Sequence, residues 1–323
     1  MSVGGSGGET FGATCVVDEH RVDEHRVDEH RRRAPAEPLR PYVAWYTGYR
    51  QRGVPPAVHR GLPSPFLTLI LTLEEPLTIA AHADPRQAPG EFGTLLGGLH
   101  SSPALIAHEG AQSGVQVALR PLGARTMLGL PAGELAAIDV PADAVLGRVQ
   151  EARARILAAD GWAERFAILD EVLLAAVVSA APGSGVAPGV ALQAAAEVGW
   201  AWRRLLRSGG TVRASALAEE TGWSGRHLAS RFRTEIGLTP KEAARVIRFD
   251  RARHLLAEAA RGGAGAGAGR LGLADLAVTC GYFDQAHLAR EFRSLAGCPP
   301  SQWLAEEFRN VQAGAWLDEG AWV

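Results

Sequence analysis

Two stretches toward the C-terminal end of the chain place apolar and polar residues in the same order. In the first, Leu217 and Ala218 precede Gly222, Ser224, Leu228, Phe232, Gly237 and Pro240. In the second, Leu276 and Ala277 precede Gly281, Asp284, Leu288, Phe292, Gly297 and Pro300. A repeated unit of this kind fixes the architecture of the segment that holds it. Each unit predicts a helix, a short Gly-containing turn and a second helix, the layout of a helix-turn-helix. Ser224 and Asp284 stand where a side-chain oxygen can accept the orphan N–H groups of a first helical turn. Leu228 with Phe232, and Leu288 with Phe292, are i, i+4 pairs that share one face and pack inward. Gly237 and Gly297 end the second helices, and Pro240 and Pro300 follow shortly after. Between the units, Thr239-Pro240-Lys241-Glu242 is a capping box that opens one amphipathic helix running to about residue 260.

Upstream the period changes. Short apolar or alternating runs at 42–49, 66–73, 77–83, 92–99, 104–108 and 114–119 are separated by Pro, Gly and Asp signals. Strands at that spacing predict an antiparallel β-barrel or sandwich. A short helix at 121–129 follows, then two longer ones at 141–160 and 162–180. These trailing helices either cover the β-domain or serve dimerisation and docking. Ala181-Pro182-Gly183-Ser184-Gly185 reads as an interdomain linker. The first helix of the next domain spans 190–207, with Trp200, Trp202, Leu205 and Leu206 as core candidates. The N-terminal end is of low complexity: Asp-Glu-His-Arg-Val recurs every five residues from Asp18. A step of five stacks no side chains on one helix face, and few residues there are apolar, so disorder is expected. A Gly-rich stretch at 261–272 lacks the strand, helix and Lys-Ser/Thr context of a phosphate loop and reads as an insertion. The expected fold class is α+β. Residues 1–36 form a disordered terminus, 37–187 a β-rich sensor or dimerisation domain with trailing helices, 188–310 an all-α domain, and 311–323 a tail.

At about 100° per residue, the face opposite Leu228 and Phe232 carries Arg226, His227, Ser230 and Thr234, with Arg233 on its flank. In the second unit the equivalent positions are Ala286, His287, Arg290, Ser294 and Arg293, and Gln285 adjoins them. Arg reaches a guanine edge bidentately, while His and Ser donate to bases or phosphates, so such a stripe suits entry into the major groove. A merely solvated helix face would explain one copy; two copies in register argue against it.

Composition sharpens this picture. At 323 residues the chain is long enough for two domains with cores of their own. Its net charge of −2 conceals an asymmetry. Residues 200–310 carry 17 Lys+Arg against 11 Asp+Glu, whereas residues 1–199 carry 16 against 22. The positive segment is the one with the repeated unit, the electrostatic footprint of a DNA reader. Almost every basic residue is Arg, with Lys241 as the single lysine, and Ala and Gly abound, as in a translated high-GC bacterial gene. Cys15, Cys280 and Cys298 form no CxxC pair. No apolar run approaches ~20 residues and no secretory leader stands out, so no membrane association and a cytoplasmic location are expected. His59, His82, His100 and His108 lie alone in separate segments, and His20, His25 and His30 belong to the repeat. There is no Gly-x-Ser-x-Gly elbow. No metal, cofactor or catalytic site is expected.

The segments LAEETGWSGRHLASRFRTEIGLTP (217–240), RVIRFDRARHLL (245–256) and LADLAVTCGYFDQAHLAREFRSLAGCPP (273–300) resemble the DNA-binding domain of the AraC/XylS transcription regulators over about the last third of the chain. The resemblance implies two recognition helices in successive major grooves, about one helical turn (~34 Å) apart. It further implies promoter DNA and RNA polymerase as partners, activation as the direction of control, and a cupin-like N-terminal domain that binds a small-molecule effector or forms a homodimer. Family members often carry Arg at the position of Ser230; the second unit keeps it as Arg290. The contact candidates are Arg226, His227, Ser230 and Arg233 in the first recognition helix and Gln285, His287, Arg290 and Arg293 in the second. Ser230 and the Gly-rich insertion leave one rival open: a ligand-binding or interaction protein whose degenerate helix-turn-helix no longer reads DNA.

Overall fold

A computed structural model of the chain describes residues 26–179, 188–262 and 272–307. The linker at 181–185, most of the Gly-rich stretch and the tail lie outside the described residues.

Among the described residues ten strands lie in the N-terminal half: β1 (Val27–Arg33), β2 (Val43–Arg52), β3 (Ala57–Gly61), β4 (Leu67–Thr72), β5 (Leu77–Ala81), β6 (Gly90–Phe92), β7 (Thr94–Gly97), β8 (Ala104–His108), β9 (Ala111–Leu119) and β10 (Asp139–Pro141). They make two antiparallel sheets, ordered β1-β2-β9-β4-β7-β10 and β3-β8-β5-β6. The sheets face each other as a sandwich and do not close into a barrel. Strand β4 shows why the apolar run at 66–73 is nearly continuous. Leu67, Leu69 and Leu71 point to a helical layer, while Ile70 points at Leu77, Ile79 and Ile106 of the smaller sheet. A strand covered on both faces loses the alternation that a half-exposed strand displays.

Three helices follow: α1 (Ala124–Leu128), α2 (Val149–Ala158) and α3 (Trp162–Ser179). The last lies on the larger sheet. Tyr46 stacks on Phe166 at 5.8 Å and donates its hydroxyl to Asp170 at 2.8 Å. The Trp162 ring covers Gly48, where a Cβ would collide with it.

Strand β1 corrects the expectation of disorder to residue 36. Its residues are polar, but its partners come from far along the chain. The Trp162 indole donates to Glu29 at 3.0 Å, Arg33 pairs with Asp170 at 3.0 Å, and the Arg32 guanidinium lies 4.3 Å from the Trp45 ring centre. The helix expected at 141–160 is also shorter. Pro141 ends β10, Ala142–Ala144 form a 3-10 turn, and helix begins only past Gly147, where Val149, Ala152 and Ile156 supply an inward face. Strands β3 and β10 were not anticipated, and the run at 92–99 breaks at Gly93 into β6 and β7.

Among the described residues the C-terminal half holds helices alone: α4 (Pro188–Arg207), α5 (Ala214–Thr221), α6 (Gly225–Ile236), α7 (Pro240–Gly262), α8 (Leu273–Thr279), α9 (Gln285–Ala296) and α10 (Pro300–Glu307). Val198, Ala201, Trp202 and Leu205 of α4 are buried, and Trp200 stays at the surface. One hydrophobic core runs from Leu69 and Val117 of the large sheet to Phe249, Phe292 and Trp303.

Candidate nucleic-acid interface

Each helix-turn-helix is built as its residue order requires. In the first, Gly222 closes α5 at φ +71°. Ser224 Oγ accepts the His227 N–H at 3.2 Å, and Gly237 ends α6 at φ +94°. In the second, Gly281 turns at φ +73°, Asp284 Oδ1 accepts the His287 N–H at 2.6 Å, and Gly297 ends α9 at φ +73°. These left-handed positions suit glycine, which has no Cβ to clash. Leu228, Phe232 and Ile236 are buried on the inner side of α6, as are Leu288, Phe292 and Leu295 on that of α9. Helix α7 joins the units through its capping box: Thr239 N–H donates to Glu242 at 2.8 Å, and Glu242 N–H donates to Thr239 Oγ1 at 3.2 Å.

The outer faces carry the sequence-derived candidates. Arg226, His227, Ser230 and Arg233 on α6 are exposed, as are Gln285, Arg290 and Arg293 on α9. Among the described residues the four arginines Arg226, Arg233, Arg290 and Arg293 have no ion-pair or hydrogen-bond partner, so their guanidinium donors are open to a ligand. The two histidines stand apart. His227 sets its ring edgewise on Trp223 at 4.6 Å and His287 on Tyr282 at 5.3 Å. His287 is half-buried, and its Nδ1 accepts the Phe283 N–H at 3.3 Å. Both rings therefore pack on the turn, and in His287 one ring nitrogen is taken up there. Arg231, beside Ser230, is half-buried and leans to Glu235 at 3.6 Å, so it does not stand in for the missing outward Arg.

Two features of the site were not read from the sequence. The first is the attachment of both units to the β-domain. The C-terminal end of α6 rests on the 3-10 turn Ala132–Leu135, where a Cβ at Gly133 would strike the Arg233 and Thr234 carbonyls. Arg125 of α1 grips buried Glu235 through both oxygens, at 2.7 and 2.9 Å. Arg60 of β3 pairs with Glu306 of α10. Contacts between residues this far apart leave no local pattern to find. The second is a cavity of about 100 Å³ between the sheets. Ile70, Leu77, Ile79, Leu95 and Ile106 form its apolar wall, and His59, His100 and Gln116 add polar groups. Burial lowers the affinity of His100 for a proton. Arg60 and Arg253 of α7 stand at its border, so the cavity touches both domains. Among the described residues no group of three or more metal-binding side chains occurs, and no helix is long and apolar enough to cross a membrane.

Residues 217–306 match the family described as a helix-turn-helix domain, and residues 31–141 match a domain of unknown function, DUF6597. No curated protein matches the chain. Among solved structures, ToxT from Vibrio cholerae O395 is similar at 12% identity and a TM-score of 0.45, over 80% of this chain and 96% of that one. Wild-type ToxT from Vibrio cholerae strain SCE256 bound to an unsaturated fatty acid aligns at 10% identity and a TM-score of 0.44, covering 87% and 95%. The AraC-like transcriptional activator CuxR aligns at 17% identity and a TM-score of 0.27, over 63% and 79%.

Proposed function

We propose that the chain is a DNA-binding transcription regulator of the AraC/XylS type, whose α6 and α9 read promoter DNA together, in successive major grooves. The observation that carries this is the pair of outward arginine faces, unpaired within the protein and repeated at matching positions of two units on one linker helix. Arg226 and Arg233 act from α6, Arg290 and Arg293 from α9, with Ser230 and Gln285 as smaller polar contacts. His227 and His287 serve mainly to hold the turns. Because Ser230 is short, the second unit carries the larger share of base reading.

Selection of bound genomic fragments by the purified protein, at stated salt, tests this reading. The expected product is one motif with two half-patterns about a helical turn apart. Arg290→Ala should weaken the selected site by roughly 1–3 kcal/mol and relax preference at one base position. A chain that enriches no motif would instead be the interaction protein with a degenerate helix-turn-helix.

The cavity between the sheets supports an effector role for the N-terminal domain. Its lining, an apolar wall with a few polar groups, suits a small, largely apolar molecule with one or two hydrogen-bonding groups, and its border on α7 gives such a molecule a route to the DNA-binding half. Activation, contact with RNA polymerase, homodimer formation and a cytoplasmic location are carried by family analogy.

A further inference from the structure

A second cationic surface lies between the two helix-turn-helix units and shares only His287 with the contacts above. It is a groove of about 610 Å³. The segment leading into α5 (Thr211, Val212, Arg213), the first turns of α7 and the start of α9 form its walls. Four cations line it, Arg213, Lys241, Arg245 and Arg248, against the single carboxylate of Glu291. Two of the four are held internally. Arg245 binds Glu291 at 2.9 Å and Ser294 Oγ at 3.0 Å. Arg248 donates to the Gly210 carbonyl at 2.8 Å and lies 5.6 Å from the Tyr282 ring centre. Arg213 and Lys241 are exposed, and among the described residues neither has an ion-pair or hydrogen-bond partner. Helix α5 also starts here without a side-chain cap on its first turn.

With Glu291 already taken by Arg245, the groove keeps an uncompensated positive charge. A duplex that offers successive major grooves to α6 and α9 must carry its intervening backbone past the surface between the two units. We propose, resting on the DNA reading above, that this groove seats the phosphates between the two major grooves. Arg213 and Lys241 make the contacts, while Arg245 and Arg248 hold the walls. Such contacts fix register and add affinity without choosing bases.

The test compares the full chain with Arg213→Gln/Lys241→Gln on a selected fragment and a scrambled one of equal length. Each lost phosphate contact lowers the log–log salt slope by ~0.9, so between ~50 and ~200 mM salt the variant should lose about twelvefold less affinity than the wild type. Both fragments should weaken by the same factor, leaving the specificity ratio unchanged. Lys241 is the chain's single lysine, so acylation by an amine-reactive ester, mapped by mass spectrometry, should report its protection by bound duplex.

A selective wild type with an unchanged slope in the variant overturns the groove and leaves the recognition helices standing. Weakening confined to the selected fragment also overturns it, because these residues would then be reading bases. Non-selective binding with the slope reduced as expected keeps the groove and sinks base reading. A wild type that binds no DNA overturns both. Calorimetry with inorganic phosphate separates a free-anion site: tight binding lost in the variant, with the DNA slope intact, overturns the proposal.

Discussion

Truncating Arg125 asks whether the N-terminal domain holds the first recognition helix. In the wild type its Nε and Nη2 donate to the two Glu235 oxygens at 2.7 and 2.9 Å. The Glu235 side chain is 6% exposed, whereas that of Arg125 is 52% exposed. Arg125→Ala therefore strands a carboxylate under the domain junction. Stranding one member of a fully buried pair costs roughly 3–5 kcal/mol. Two features reduce the cost here. Half of the Arg125 side chain faces water, so solvent can enter the space it leaves, and Arg231 stands 3.6 Å from Glu235 as a partial counter-charge. The expected loss is about 2 kcal/mol. Arg125→Ala/Glu235→Ala removes the buried carboxylate and leaves only the half-buried Arg231 without its counter-charge, so its loss should fall to about 1 kcal/mol. Urea unfolding of the full chain measures both, and hydrogen exchange at residues 132–136 and 233–237 shows where the loss acts. The single variant should exchange faster at both segments. A loss under about 0.5 kcal/mol, or equal losses in the single and double variants, would mark an ordinary surface pair that holds nothing.

Three further outcomes follow from local geometry. Ser230→Arg places a second outward guanidinium on α6 and should tighten binding to the selected site by about 1 kcal/mol while changing the preferred base opposite it; equal affinity and an unchanged motif would remove α6 from base reading. Gly48→Ala drives a Cβ into the Trp162 ring and should lower stability by roughly 1–3 kcal/mol, visible as a lower Tm with DNA affinity retained. Burial pushes the Cys280 thiol up to about 11, so the neutral form is favoured, and its contribution to stability is present below the ordinary thiol range and lost as pH rises toward that value. Peptide-mapped alkylation at pH ~8 should accordingly leave Cys280 unmodified until urea unfolds the chain, and rapid native labelling would contradict the burial.

How much could be read from the sequence depended on how local the cause was. Caps, turns and inner faces of α6 and α9 follow from Ser224, Asp284, Gly237, Gly297 and two apolar pairs, all within a few residues of each other. The outward arginines follow from the same helical period. The β-domain was partly legible because β4, β5, β8 and β9 bring their own apolar runs. Strand β1 was not, because it is held by Trp162, Asp170 and Trp45, none of them near it in sequence. The groove on α7 was missed for a related reason. Arg213, Lys241 and Arg248 look like three unrelated surface charges until folding brings the α5 start beside the α7 start.

The attachments to the β-domain bear on how the two recognition helices are spaced. Had α7 been the only connection, an insertion at 261–272 would leave the second unit's position to the residues that follow it. Each unit has its own anchor instead. The first is held at the C-terminal end of α6 by Gly133 and by Arg125 on Glu235. The second is held through α10 by Arg60 on Glu306, and Pro103 lies against the turn at Gly297. It also packs directly on α7, where Phe249 meets Phe292 at 4.9 Å and Arg245 binds Glu291. The spacing between α6 and α9 is thus fixed by packing and ion pairs whose members all lie outside the Gly-rich stretch. Arg60 also borders the cavity between the sheets. A molecule that drew its guanidinium inward would weaken the anchor on Glu306 while leaving that on Glu235 intact, so an effector there would act first on the second unit, the one that keeps Arg290.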